Sequence, residues 1–288
     1  MKKNKRLISV LSAKKKMIDS LKKFKNTSEY IDFRNSENRV LATDVFSKKN
    51  IPEFDNSAVD GFGFNYNSLE KFKSLKIIGE SRPGFPFRKQ IRSGEAIVVY
   101  TGSYILKKNK IDTVCFMENC KVQNGQLNFI KKPLRGENIR CQGEDLRVNQ
   151  VVMEKGRKIR AVDIAQLSSL GLKRINVFKK LKIGVFSSGN EIIQTFKKKQ
   201  FTIFDANKDT LIAMIHKIGC EPYDLGIIKD DLSETKKNIL KNLSKYDLII
   251  TTGGISTSKQ DNVSKFFSNF GQIKFWRLAV KPGRPIAF

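Results

Sequence analysis

The chain has 288 residues, a hydrophobic content of 40% and a formal net charge of +27 at pH 7. This length and apolar content suffice for two or more folded domains with cores of their own, and they exclude a disordered chain. A pI near 10.0 is typical of nucleic-acid binding, but the basic runs are spread over every segment and lysine greatly outnumbers arginine. We therefore interpret most of the charge as solvated surface, and nucleic-acid binding rests on charge alone.

Residue types exclude several classes of site. The cysteines form no C-x-x-C pair, and the chain has a single histidine, His216, inside a helical pattern. These facts argue against a zinc site and exclude a His-based catalytic triad. The apolar stretch near the N-terminus is interrupted by lysines, and no other run approaches the length of a membrane span. We expect a cytoplasmic protein without membrane contact.

In the first two thirds of the chain, the sequence pattern predicts a helical segment, then a series of strands, then a second helical segment. Residues 1–44 carry apolar positions at helical spacing and are predicted to be mainly helical. Over residues 45–140, short β-like runs such as "EAIVVYTG" alternate with Gly, Pro and Asn turn signals, which predicts a β-rich module. Residues 141–180 predict a β segment followed by a helix over residues 161–170.

The last third alternates predicted strands and helices. The strands are "KIGVFSS", "EPYDLGII" and "YDLIITTGG", and the helices are "NKDTLIAMIHKIG" and "LSETKKNILKNLS". This alternation predicts a doubly wound, mostly parallel sheet that binds ligands at the carboxyl ends of its strands. We predict an α/β multidomain protein with an α/β domain at 179–288, an inserted β-rich domain at 46–140, and a mixed α+β linker domain formed by 1–45 and 141–178.

Polar clusters follow each predicted parallel strand. Glu191, Asp230, Asp231 and Asp261 fall in loops at the predicted carboxyl edge, where carboxylates beside a phosphate-binding loop suit Mg²⁺. Each one alone is also explained as a helix cap, since Asp231 and Asp261 directly precede helical segments. Their convergence favours the metal.

A glycine-rich loop and a basic stretch supply groups that recognise anions. In "TTGGIS", adjacent glycines let backbone N–H groups approach an anion or a heterocycle, with the hydroxyls of Thr252 and Ser256 beside them. By itself this motif fits a tight strand-to-helix turn equally well. The stretch "FWRLAVKPGRP" carries Arg277, Lys281 and Arg284, which together suit an oxyanion.

The segment "IPEFDNSAVDGFGF", residues 51–64, contains more apolar side chains than an exposed turn needs. We predict that it packs beside a pocket. Asp55 is predicted to be a turn-former whose side chain accepts from backbone N–H groups one or two residues on. Asp60, followed by glycines, is predicted to present its carboxylate at the pocket edge.

Six motifs together carry a family resemblance: "PEFDNSAVDGF", "IRCQGEDLR", "FSSGNEI", "DLGIIKDD", "TTGGIS" and "FWRLAVKPGRPIAF". In this order and spacing they resemble the molybdopterin molybdotransferase family, comprising MoeA and the E domain of gephyrin. The resemblance implies a homodimer that inserts molybdate into adenylylated molybdopterin and releases AMP with the help of Mg²⁺. It also implies a transient contact with the molybdopterin adenylyltransferase.

The resemblance assigns roles to individual residues. It implies the catalytic residues Asp60, Asp145, Glu191 and Asp261. It implies the metal ligands Glu191, Asp230 and Asp261. It implies the substrate-binding and cofactor-binding residues Thr101, Thr252, Gly253, Gly254, Ser256, Arg277 and Lys281.

The chain departs from the family pattern at several positions. Asn190 stands where Asp is common, Ser258 replaces a usual Gly, Arg277 replaces Lys, and "TGSYILKK" lacks the usual Pro. It stops at "RPIAF", before the family's "PGNP" loop and C-terminal β domain, so we expect a C-terminal truncation with weak turnover. The alternative function is a non-catalytic molybdopterin-binding module or a gephyrin-like scaffold that holds a receptor peptide.

Overall fold

The computed structural model describes residues 7–22, 24–194, 200–229, 231–253, 266 and 269–288. The helices in these ranges are α1 (Val10–Leu21), α2 (Ser68–Lys71), α3 (Ala161–Ser169), α4 (Ala206–Lys217) and α5 (Leu232–Asn242). The strands are β1 (Ser28–Asp32), β2 (Val45–Phe46), β3 (Asn56–Ser57), β4 (Gly61–Phe64), β5 (Ser74–Ser81), β6 (Glu95–Val99), β7 (Thr113–Phe116), β8 (Cys120–Gln123), β9 (Gln126–Phe129), β10 (Ile139–Arg140), β11 (Val151–Met153), β12 (Arg174–Phe178), β13 (Lys182–Ser188), β14 (Ile192–Ile193), β15 (Ile203–Phe204), β16 (Glu221–Ile228) and β17 (Leu248–Thr252).

The fold is mixed α/β and divides into two compact units. The first unit contains Met1–Ala42, Lys158–Ile164 and Arg174–Phe288, and the second contains Thr43–Arg157 and Ala165–Lys173. In the described ranges, no helix combines the length and the apolar composition that a membrane crossing requires.

The second unit is built on a six-stranded sheet with the strand order β7-β4-β6-β5-β9-β8. All its pairs are antiparallel except β5 with β6. Strand β4 has the sequence "GFGF" and is buried over its whole length, with Phe62 and Phe64 in the core. Gly61 is a steric requirement, because a Cβ on it would lie 2.0 Å from the backbone oxygen of Cys115 on β7.

The first unit contains a three-stranded parallel sheet with the order β16-β13-β17. The strands and helices predicted for the last third of the chain are all present, and α4 and α5 lie between successive strands along the chain. Val185 and Phe186 of the central strand β13 are both buried, as expected for a parallel strand covered on both faces. The register pairs Ser187 with Thr252 and Ser188 with Ile228, so the carboxyl ends of the three strands meet at one edge.

The prediction that residues 1–44 are mainly helical is wrong beyond α1. Residues 28–32 form β1, which pairs antiparallel with β12 from Ser28 opposite Phe178 to Asp32 opposite Arg174. Tyr30 and Ile31 have the aromatic and β-branched side chains that suit a strand. The partner strand lies far along the sequence, so local spacing did not reveal the pairing.

Gly61→Ala is expected to destabilise the chain by roughly 3 kcal/mol, because the new methyl group meets a backbone carbonyl that cannot move without breaking the β4–β7 ladder. Gly63→Ala on the same strand is the matched control. Its Cβ would meet the Val99 and Ile111 side chains at 3.1 to 3.3 Å, and these can shift at a cost of about 1 kcal/mol. Urea unfolding followed by circular dichroism measures both. Equal losses would contradict the steric explanation.

Candidate functional site

Two predicted site residues of the second unit, Asp60 and Thr101, are hydrogen-bonded to each other. Thr101 donates to Asp60 Oδ1 from its backbone N at 2.7 Å and from Oγ1 at 2.9 Å. They meet because β4 and β6 pair with Gly61 opposite Val99, which brings the residues flanking these strands to the same end of the ladder. The Thr101 backbone N–H, and then its hydroxyl, lower the pKa of Asp60. Asp60 is therefore an exposed carboxylate, held charged and in one orientation.

Asp145 lies in a cluster of charged residues on the same unit. Arg140 donates from Nε to Glu144 at 2.6 Å and from a terminal nitrogen to Asp145 at 2.5 Å. The hydrogen bond to Glu144, followed by that to Asp145, raises the pKa of Arg140. The carboxylate of Asp145 is thus paired with a cation and half exposed. Its catalytic role stays a prediction.

Asp55 has a different partner from the one predicted. Its Oδ1 accepts a hydrogen bond of 2.7 Å from the backbone N of Gln142, not from a neighbour one or two residues on. The reason is the antiparallel approach of two distant segments, in which Ile51 lies opposite Leu146. The N–H group that reaches Asp55 therefore belongs to the opposite segment.

A cavity lies beside the start of the segment 51–64, but Asp60, which was predicted to lie at a pocket edge, is not among its lining residues. The cavity has a volume of about 310 Å³, and it is lined by Phe54, Asp55, Ile105, Leu106, Lys107 and Gln142. The aromatic residues of this segment differ in burial. Phe62 and Phe64 are buried in the core, whereas Phe54 is 46% exposed.

In the first unit, the carboxyl edge of the parallel sheet brings together Glu191, Thr252 and Gly253. Gly253 has a φ of +81°, and a Cβ on it would lie 2.7 Å from the backbone oxygen of Ser188. The start of the glycine-rich loop is therefore pressed against the end of β13. The Glu191 carboxylate folds back over Gly189, where a Cβ would lie 2.7 Å from Oε2.

The predicted basic residues lie on a hairpin of the first unit. Arg277 donates its backbone N–H to Ile286 at 2.8 Å, and Leu278 donates to Arg284 at 2.9 Å, while Lys281 is exposed between these strands. Arg277 has a φ of +67°, an uncommon conformation that often marks functional sites. Within the described residues its buried Nε makes no hydrogen bond.

The metal site is only partly described. Asp230, Asp261, Gly254 and Ser256 lie outside the described residues. Among the residues that the structure does describe, no group of three or more His, Cys, Asp or Glu side chains could hold a metal ion. The metal-binding roles of Glu191, Asp230 and Asp261 stay predictions.

For Asp231, the alternative of a helix cap is the correct one. Asp231 is the N-cap of α5 and accepts from the backbone N of Glu234 at 2.7 Å. This bond, followed by one from the Ser233 hydroxyl, lowers the pKa of Asp231. Its carboxylate is engaged in starting the helix.

The sequence analysis missed a cluster of charged residues beside the parallel sheet: Asp205, Lys208 and Asp224. Asp205 is the N-cap of α4, and an aspartate directly before a helical pattern is a signal that could have been read. The other two gave no signal, because a lysine and an aspartate in a charged sequence are expected on the surface.

Thr101→Val is expected to raise the pKa of Asp60 part of the way toward its ordinary value, because the hydroxyl donor is lost and the backbone donor remains. Carboxyl-carbon NMR titration measures this pKa. A depressed pKa adds stability above the unfolded value, and this contribution is lost as the pH falls through the folded value. The variant should lose less stability on acidification than the parent chain. Thr43→Val, at an exposed threonine, should leave the pKa of Asp60 unchanged, and an unchanged pKa in Thr101→Val would contradict the assignment.

Comparisons with known proteins agree with this geometry. Residues 8–171 match the family described as MoeA N-terminal region (domain I and II), and residues 184–288 match a probable molybdopterin binding domain. The molybdopterin molybdenumtransferase of Haemophilus influenzae is 34% identical over 284 residues, covering 98% of this chain and 70% of that protein. The molybdopterin molybdenumtransferase of a Nostoc species is 26% identical, covering 90% of this chain and 61% of that protein.

Solved structures give the same result. The molybdopterin biosynthesis MoeA protein of Pyrococcus horikoshii superimposes with a TM-score of 0.86 at 27% identity, covering 98% of this chain and 72% of that one. The chain therefore spans roughly 61 to 72% of these relatives. The chain belongs to the MoeA family of molybdopterin molybdenumtransferases, which acts in molybdenum cofactor biosynthesis.

Proposed function

We propose that the chain catalyses the Mg²⁺-dependent insertion of molybdate into adenylylated molybdopterin, with release of AMP. The observation that carries this proposal is the meeting of two loops at the ends of β13 and β17. Gly253 packs on Ser188, which brings the start of the glycine-rich segment beside the loop that carries Glu191. A phosphate group of the substrate and the carboxylate of Glu191 can then lie close together at one edge of the sheet.

The chemistry of each described residue indicates its role in the proposed reaction. The backbone of Gly253 approaches the phosphate closely because no side chain intervenes, and the hydroxyl of Thr252 orients it. Arg277 and Lys281 attract molybdate, an oxyanion substrate, through charge-assisted hydrogen bonds. Asp60, held charged by Thr101, orients a polar group of the substrate.

The residues present fit a magnesium ion by their chemistry. Glu191, Asp230 and Asp261 would hold it, since carboxylate oxygens are its preferred protein ligands. When bound, Mg²⁺ neutralises the charge that develops as a phosphate anhydride is cleaved. Asp231 is left out of this set, because its carboxylate caps α5.

We further propose the three-domain division at residues 45, 140 and 178, a doubly wound α/β domain and a homodimer in the cytoplasm. Support for self-association comes from α1, whose apolar residues Val10, Leu11, Ile18 and Leu21 are more than half exposed. Unpaired apolar side chains along one helix are typical of an interface. A transient contact with the molybdopterin adenylyltransferase would pass on the adenylylated substrate.

Glu191→Gln is expected to weaken Mg²⁺ binding by about tenfold, because an amide replaces a charged ligand of the same shape. Isothermal calorimetry with Mg²⁺ measures the affinity, and AMP release measures turnover at limiting Mg²⁺. Asp209→Asn, at an exposed acid in the first turn of α4, is the control and should change neither. Unchanged affinity in Glu191→Gln would remove Glu191 from the metal site.

Asp60→Ala and Glu191→Gln test whether subunits share their sites. If each site combines Asp60 of one subunit with Glu191 of its partner, mixed dimers contain one hybrid site without either substitution. At a limiting Mg²⁺ concentration, at which each variant alone has little activity, the mixed variants should then recover part of the activity after subunit exchange, which light scattering and a tagged subunit verify. Verified exchange without any recovery would show that the two residues act within one subunit or in separate tasks.

A further inference from the structure

Lys208 stands in an environment that disfavours its charge. Its side chain is fully buried, and removing an ammonium group from water is costly unless it is paired. It also lies in the first turn of α4, where the partial positive charge of the helix terminus repels a cation. A lysine in this position requires specific compensation from the surrounding structure.

Two carboxylates supply that compensation. Lys208 Nζ lies 2.9 Å from Asp224 Oδ1 and 3.8 Å from Asp205 Oδ2. Asp205 also accepts the backbone N–H of Lys208 at 3.1 Å and the hydroxyl of Ser187. Asp224 accepts from the backbone N of Gly226 at 2.8 Å and from Gln194 Nε2 at 2.9 Å. We call these side chains, Ser187, Gln194, Asp205, Lys208 and Asp224, the Lys208 cluster.

The pKa of Asp224 reflects two opposing effects in the Lys208 cluster, burial and hydrogen bonding. Burial is the largest influence on its pKa and raises it, but the hydrogen bonds from Lys208, Gly226 and Gln194 outweigh burial and lower the pKa overall. The carboxylate therefore stays charged although its side chain is only 44% exposed. Its pairing with Lys208 is thus part of a connected set of bonds.

The Lys208 cluster joins four separate segments of the chain. Ser187 is at the end of β13, Gln194 directly follows β14, Asp205 caps α4, and Asp224 lies in β16. Two of them, Ser187 and Gln194, stand on either side of Glu191 in the sequence. The backbone oxygen of Glu191 also accepts from Ile203 at 2.9 Å, which directs the chain back toward Asp205.

We propose that Lys208 is a positioning residue that holds the Glu191 loop at the carboxyl edge of the parallel sheet. It does so by binding Asp205 and Asp224 at the base of the loop. The assignment of Glu191 to the metal site rests on the proposed function, whereas the anchoring of the loop rests on the contacts alone. Lys208 itself touches neither metal nor substrate.

Hydrogen exchange tests the anchoring without any ligand. The amides of Ile203 and Asp205, which bond to Glu191 and Ile193, report on the loop, and the β1–β12 ladder reports on the rest of the unit. In Lys208→Met, exchange at the two loop amides should accelerate by roughly tenfold or more, beyond any change in the ladder. Lys217→Met, at an exposed lysine in the last turn of the same helix, is the matched control and should leave the loop amides unchanged.

If Lys208→Met does not fold, Asp224→Asn tests the same interaction from its other partner. It preserves the shape of the side chain and removes only its charge, at a position that is partly exposed. Alone it should accelerate exchange at the same two amides. Combined with Lys208→Met it should add little, because the two changes break one interaction. Acceleration of the loop and the ladder by equal factors, or no acceleration, would overturn the proposal.

A magnesium titration then connects the anchoring with the site. Calorimetry with Mg²⁺ alone should show a loss of affinity of about tenfold in Lys208→Met and Asp224→Asn, since a displaced ligand binds the metal poorly. Unchanged affinity beside accelerated exchange would overturn the role of Lys208 in the site. Failure of the parent chain to bind Mg²⁺ would count against the proposed function, while the exchange result would still decide the anchoring.

Discussion

The parallel pairing of β13 with β16 and β17 is the constraint on which the candidate site depends. Parallel strands end at the same edge, so the residues that follow them meet whatever their distance in the sequence. Here the register sets Ser187 opposite Thr252, and the contact of Gly253 with Ser188 leaves no room for a side chain. The glycine is thus needed by the packing of the sheet as well as by any bound anion.

The charged side chains beside the parallel sheet have two kinds of partner. Asp231 and Asp205 begin helices, and their carboxylates are satisfied by backbone N–H groups of the first turn. Lys208 and Asp224 instead form an ion pair in which the ammonium group is buried and the carboxylate is partly exposed, and burying the ammonium group is costly unless it is paired. Bonds from Gln194 and Gly226 hold the Asp224 carboxylate in place. A pair with one buried partner favours one arrangement of the loops around it.

In the second unit, antiparallel strands position the charged side chains. The β4–β6 ladder brings Asp60 and Thr101 to one end, and the two hydrogen bonds to a single carboxylate oxygen restrict its orientation. Arg140 does the same for Asp145 by binding it together with Glu144. In both cases the charged group is exposed, so its orientation is maintained by specific bonds and not by burial.

Local patterns in the sequence were sufficient for most of the regular elements. The alternation of strands and helices in the last third, the short strands of the β-rich module and the helix cap at Asp231 all depend on residues close together in the chain, where propensity and capping act directly. The six motifs were sufficient to recognise the family. The residues Glu191, Thr252 and Gly253 could be assigned to one edge because parallel sheets impose that rule.

Long-range pairing decided the rest. The strand β1 forms because β12 is available to it, and Asp55 bonds to Gln142 because two distant segments run antiparallel. The burial of Lys208 depends on the Asp224 carboxylate, which comes from a different strand. None of these partners is signalled by neighbouring residues, because their free energy comes from contacts that exist only after the chain has folded.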